Sequence, residues 1–292
     1  MTIYKQILDK IKEKNKLAEG DSIDYEKTGY EPLPITKANF VKLEETKNKK
    51  IAFIDGGNAC LIETPAYCVH FVRVFGALFQ DDKKILNKKY ECFVLGAKNE
   101  IDLFWEGEKL DEIEAFGEIE RVGDLVRKQC EIILSKKFAE KADLVVLDGT
   151  LEATTKNEEK LFSELYSAAE KNNCIVAALA KTTSLTTKRG ASAAAYIASI
   201  GPQGTWECNN IIKTNSKMHQ ANISFVKLNK NSKHIFRFET HNSKEVASWL
   251  LPHCNDASFP GYPYGLIYAD KFARVSNEEK NYFVTHFLAA HG

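Results

Sequence analysis

Apolar runs and helical repeats alternate along most of the chain. Tyr4, Ile7, Leu8 and Ile11 recur at helical spacing, so residues 4–18 read as an amphipathic helix. A polar, turn-rich stretch follows to about residue 49. IAFI (51–54) is a short buried strand. AYCVHFVRVFGALFQ (66–80) is β-branched and aromatic and reads as a long one. After the DDKK turn, YECFVLGA (90–97) is a third, and three strands on short links predict an antiparallel meander. The period then changes. Ile119, Val122, Leu125, Val126, Ile132 and Ile133 predict a long helix within 111–141. LVVL (144–147) is a strand, 157–171 a helix and CIVAALA (174–180) a strand, which implies parallel neighbours with crossover helices. Residues 182–220 show no clear period. ANISFVKL and HIFRFET predict a hairpin around NKNSK. Helices at about 243–251 and 277–290 bracket a loop, FPGYPYGLIYAD.

The order β-β-β-α-β-α-β, then a hairpin and helices, is the connectivity of a ribonuclease H-like α/β fold. Its mixed sheet is flanked by helices, with residues 1–50 as an N-terminal helical extension and 51–292 as the main domain. The 292 residues are ample for a core, and 44% of them are apolar. Forty basic and forty acidic residues cancel. Bulk charge therefore makes no case for nucleic-acid binding, although a local basic stripe remains compatible with it. The charged start lacks the apolar core of a signal peptide, and no run approaches the ~18 apolar residues of a membrane helix. Seven cysteines without a C-x-x-C pair suggest buried free thiols in a reducing cytoplasm.

Two apolar strands end alike: IAFI runs into Asp55-Gly56-Gly57 and LVVL into Asp148-Gly149-Thr150. One reading is a turn after each strand. The other is chemical. Carboxyl ends of parallel strands line the ligand crevice of an open α/β sheet, and carboxylates about 4–6 Å apart repel until a hard cation joins them. Glu131 stands in the apolar stretch KQCEIILS; it is either a further acid of that site or an i,i+4 surface partner of Arg127. Asp270, in the aromatic loop, is either a last ligand or a turn aspartate. Lys181 ends the CIVAALA strand, and Lys188 and Arg189 follow among threonines, a composition suited to phosphate oxygens. Trp206, Tyr262, Tyr264 and Tyr268 could stack on bases or simply fill core and surface. No P-loop, nucleophile elbow or dinucleotide fingerprint is present.

Together the stretches IAFIDGG, VRKQCEIIL, LVVLDGTL, VAALAKTTSL, ISFVKL…HIFRFE and GYPYGLIYADKFARV resemble, in order, the NurA nuclease family over about 51–275. The resemblance implies a metal-dependent deoxyribonuclease on a ribonuclease H-like core. It would act 5′ to 3′ on DNA ends and cut single strands, in end resection and repair. It also implies manganese or magnesium, one or two ions, a homodimer, and docking on a hexameric HerA-type ATPase. Asp55, Glu131 and Asp148 match the acidic metal-ligand positions, and Asp270 matches the last polar position, where many members carry histidine. Phe225 stands where some members have tyrosine. Lys181 matches a family motif and is read as a phosphate contact, with Lys188, Arg189 and Tyr264 as further substrate-binding residues. Two rival readings stay open: a hydrolase of small phosphate substrates, and an inactive adaptor for an ATPase.

Overall fold

The computed structural model describes residues 2–14, 20–25, 28–98, 100–110, 113, 121–241 and 246–290. In chain order its elements are α1 (Ile3–Lys14), β1 (Ile23–Asp24), β2 (Tyr30–Pro32), β3 (Phe40–Lys42), β4 (Lys50–Glu63), β5 (Tyr67–Gln80), β6 (Lys83–Ala97) and β7 (Glu100–Trp105). There follow α2 (Val122–Ala139), β8 (Leu144–Asp148), α3 (Lys156–Lys171), β9 (Ile175–Ala180), β10 (Thr186–Thr187) and α4 (Ala193–Ile200). The last are β11 (Trp206–Cys208), β12 (Ile212–Thr214), β13 (Asn222–Lys227), β14 (Phe236–Thr240), α5 (Tyr264–Ala273) and α6 (Asn277–Ala290).

The chain divides into two compact units. One comprises Met1–Lys47, Gly149–Glu152 and Ala177–Tyr264; the other comprises Asn48–Asp148, Ala153–Val176 and Gly265–Gly292. In the second unit β4, β5, β6 and β7 form the expected antiparallel meander, and β8 lies parallel to β4 on its free side. That mixed sheet, with its crossover helix, has the ribonuclease H-like connectivity. Ile51–Ile54 and Leu144–Leu147 are fully buried, which is why neither run alternates polar with apolar. Helix α2 packs on one face of the sheet. Gly76 of β5 makes room for it, since a Cβ there would stand 2.6 Å from Cε2 of Phe138. On the other face Phe75 stacks on Phe272 of α5 at 5.1 Å, and Phe71 meets Phe283 of α6 at 4.6 Å.

In the first unit β3, β11, β13, β14 and the end of β9 pair antiparallel in that order, while β1–β10 and β2–β12 form two small ladders. Its core gathers Trp206, Tyr196, Phe225, Ile23 and Ile35.

Several expectations change. The initial helix spans Ile3–Lys14, and residues 15–18 lie outside the described residues. Among the described residues of 20–50 the only helix is a single 3-10 turn, Lys37–Asn39, and β1, β2 and β3 join strands from beyond residue 185. Helix α2 begins at Val122, and Ile119 is outside the described residues. EIDLFW adds the edge strand β7, in which exposed and half-buried residues alternate. ASAAAYIAS contains α4, opened by Ser192, whose hydroxyl accepts from the Ala195 N–H. The helix expected at 243–251 is a 3-10 helix over Val246–His253, and 243–245 are outside the described residues. The expected loop FPGYPYGLIYAD is helical from Tyr264 onward. All seven cysteines are free, six buried and Cys60 half-buried. Among the described residues no helix is long and apolar enough to cross a membrane.

Candidate metal centre

The repeated apolar-Asp pattern marks one point in space. β4 and β8 pair in parallel through Ile51↔Leu144, Ala52↔Val145, Phe53↔Val146 and Ile54↔Leu147, so Asp55 and Asp148 each stand one residue beyond the last pair. Neighbouring strands lie about 4.8 Å apart, which sets the two carboxylates side by side. Asp270 joins them from α5. One ligand oxygen from each of the three lies within 4.8 Å of the others, with Asp55 buried and Asp148 and Asp270 half-buried.

The two Asp-Gly steps differ. After Asp148 the chain does turn, with Gly149 at φ +119, a value only glycine adopts readily. After Asp55 it does not: β4 runs on to Glu63, pairing Asp55 with Phe75, Gly56 with Val74 and Gly57 with Arg73. The turn reading is therefore corrected for Asp55. These glycines are needed because both faces of β4 are crowded there. A Cβ on Gly57 would fall inside contact distance of the Ala273 carbonyl at the end of α5; one on Gly56 would stand 2.6 Å from Oε1 of Glu131 and 2.8 Å from Cγ of Arg127. Alternation along the strand thus puts Asp55 on the α5 face and Glu131 behind Gly56 on the α2 face.

Glu131 is 1% exposed. The i,i+4 pairing with Arg127 is present, but it is buried rather than superficial: Nη1 of Arg127 donates to Oε1 of Glu131 at 2.6 Å. Arg127 also stands 3.7 Å from Asp124, and Lys128 lies 3.9 Å from Glu131. Burial pushes the Glu131 carboxyl above its ordinary pKa, against the pull of Arg127 and Lys128; the charge of Asp148 pushes the same way. Glu131 raises the pKa of Arg127 in return, and Asp124 and Asp55 add to the effect.

The donor set suits a hard divalent ion: three carboxylates converge in a partly buried cluster with no nitrogen or sulfur ligand among them. Asp55, Asp148 and Asp270 could hold it.

The other expected site residues belong to the first unit. Lys181 is half-buried, with Nζ 5.1 Å from the centre of the Tyr262 ring. Lys188 and Arg189 are exposed beyond β10, and Tyr264 is exposed at the head of α5. Phe225 is fully buried in the core of that unit.

Sequence reading missed a buried polar chain in the same unit. Glu239, fully buried, accepts from the Leu151 N–H at 2.7 Å, lies 2.9 Å from Nε2 of His219 and pairs with Nε of Arg237 at 2.5 Å. Tyr30 is hydrogen-bonded to the other ring nitrogen of His219 at 3.0 Å. This network anchors the chain three residues past Asp148.

The sheet that gathers three aspartates at one point has the ribonuclease H-like connectivity. A family model described as the NurA domain matches residues 49–275, and the chain belongs to that family. The crystal structure of the NurA nuclease from Sulfolobus solfataricus is similar over 99% of this chain and 94% of that one, with TM-score 0.60 and 13% identity. Endonuclease V from Ciona intestinalis, in complex with inosine-containing DNA, matches over 97% and 100% with TM-score 0.44 and 10% identity. Endonuclease V from Bacillus subtilis matches over 100% and 96% with TM-score 0.38 and 12% identity. The chain matches no curated protein. Family membership supports a nuclease.

Proposed function

We propose that this protein is a divalent-metal-dependent DNA nuclease whose first ion is held by Asp55, Asp148 and Asp270, with Glu131 behind them as a carboxylate available to a second ion. The convergence of those three aspartates within 4.8 Å, in a chain of the NurA family, carries the reading. Asp55 binds from within β4 and Asp148 from the end of β8 beside it, and Asp270 closes the site from α5. A divalent ion held there, manganese or magnesium, supplies Lewis-acid activation of water and of the scissile phosphate. Lys181 contacts a non-bridging oxygen, Lys188 and Arg189 hold further phosphates, and Tyr264 stacks on a base. The family points to DNA ends as substrate, with 5′ to 3′ exonuclease and single-strand endonuclease action. It also points to a homodimer, a HerA-type ATPase partner and a cytoplasmic role in end resection.

The test is cleavage of labelled linear single- and double-stranded DNA with manganese, with and without chelator, by the wild type and by Asp55→Asn. The expected result is chelator-sensitive cleavage by the wild type, lost in Asp55→Asn while DNA binding persists. Equal cleavage by the two proteins would refute the assignment.

A further inference from the structure

Glu131 is nearly inaccessible, yet its carboxylate is not gathered with the three aspartates. What holds it is a guanidinium. Arg127, one helical turn earlier on α2, contacts Oε1 of Glu131 at 2.6 Å and reaches toward Asp124 at 3.7 Å. The pair fills the gap over Gly56, the one residue of β4 between Asp55 and Gly57, and a single methyl there would strike both side chains. Asp55 acts on Arg127 electrostatically, and Asp148 acts on Glu131, so the pair lies within the field of the cluster. A guanidinium keeps its charge at all relevant pH and binds carboxylate strongly. Arg127 is therefore a resident cation at the back of the acidic centre.

We propose that Arg127 withholds Glu131 from the ligand set: the first divalent ion is bound by Asp55, Asp148 and Asp270 alone, and Glu131 can become a ligand only when Arg127 releases it. Arg127 is thus a positioning residue that fixes how many ions the free protein takes. The inference rests on the metal-centre reading above.

Charge arithmetic supports it. Three aspartates carry a formal charge of about −3, which one divalent ion cuts to about −1, and Arg127 separately balances Glu131. A second ion would have to displace a guanidinium already in contact. Among the described residues, the cation left beside Glu131 without Arg127 would be Lys128, 3.9 Å away.

The experiment is calorimetric titration of manganese into the whole, metal-stripped chain, with folding checked by near-UV circular dichroism. The wild type is expected to take one ion per chain. Glu131→Gln, which keeps the shape and the Arg127 hydrogen bond, is expected to bind that ion within about threefold of wild-type affinity. A loss of about tenfold or more would overturn the proposal, because Glu131 would then already be a ligand. Arg127→Met is expected to bind about tenfold more tightly or to take a second ion, and Arg127→Lys is expected to stay close to wild type. A folded Arg127→Met with a wild-type isotherm would overturn it, since a purely structural arginine leaves metal binding unmoved. If Arg127→Met does not fold, Glu131→Gln and Arg127→Lys decide. Failure of the wild type to bind manganese would overturn the metal-centre reading and this inference together. Wild-type binding combined with a weakened Glu131→Gln would overturn this inference alone.

Discussion

Gly57→Ala is the substitution that separates a strand glycine needed for packing from one tolerated by chance. Gly57 is paired with Arg73 inside β4, and an added methyl meets backbone: the Ala273 carbonyl oxygen inside contact range, its carbon at 3.0 Å and Cα of Arg274 at 3.2 Å. Those atoms cannot rotate away as a side chain would. They end α5, three residues past Asp270, and the Arg274 carbonyl is also held by Arg73 at 3.0 Å. Restoring ordinary van der Waals separation requires a retreat of about 1 Å. Overpacking of this kind costs about 1–3 kcal/mol. At about 2–4 °C per kcal/mol for domains of this size, Tm should fall by roughly 2–12 °C. A displacement of about 1 Å at a reacting centre can lower the rate about 100-fold. Thermal unfolding and manganese-dependent cleavage of linear DNA would be measured on the same preparation. Gly56→Ala serves as comparison, because the three atoms nearest its methyl are side-chain atoms of Glu131 and Arg127. If Gly57→Ala kept wild-type Tm and cleavage, the close approach of α5 to β4 would not govern the placement of Asp270, and the reasoning would fail.

Two further outcomes follow from buried charges away from the aspartates. Arg73 is 9% exposed and joins Glu91 at 2.5 Å, Glu279 at 2.7 Å and the Arg274 carbonyl. Arg73→Met should destabilise by about 3 kcal/mol, toward the low end for a broken buried pair, because Lys89 still pairs with Glu91 and Glu279 is partly solvated; urea unfolding with no change in midpoint would refute this. Burial pushes the Glu239 pKa up, but the hydrogen bond to His219, the charges of Arg237 and His219 and the Leu151 N–H outweigh it and hold the carboxyl below the ordinary value of 4.5. Its contribution is therefore fully present above the ordinary glutamate pKa and lost as pH falls through the lower folded value. Glu239→Gln should be less stable at neutral pH and lose less on acidification, and parallel pH–stability curves for the two proteins would contradict this.

The two acidic strand ends were legible because burial on both faces leaves an unbroken apolar run, and because parallel strands in register put the residues after those runs at one level. What followed Asp55 was not legible. Whether glycines form a turn or continue a strand depends on what packs against them, and here that is the end of α5 and the Arg127–Glu131 pair. Helix α5 was hidden behind aromatic and glycine residues, although Pro263 directly before its first residue was an available start signal. The buried Glu239 network gave no periodic sign, since Phe236–Thr240 is buried on both faces and its charged residues break no pattern that a strand must keep. The short pairings of residues 20–47 with β10, β11 and β12 are long-range contacts between two- and three-residue strands, too short for any alternation to register.

The central claim is that Asp55, Asp148 and Asp270 together hold the catalytic ion. An anomalous difference map from a crystal of the wild-type protein grown with manganese tests it most directly. The expected result is a peak in coordination contact with all three carboxylates, absent from the same map of Asp148→Asn. A wild-type map with no peak among these aspartates, or one with its manganese bound elsewhere, would contradict the account.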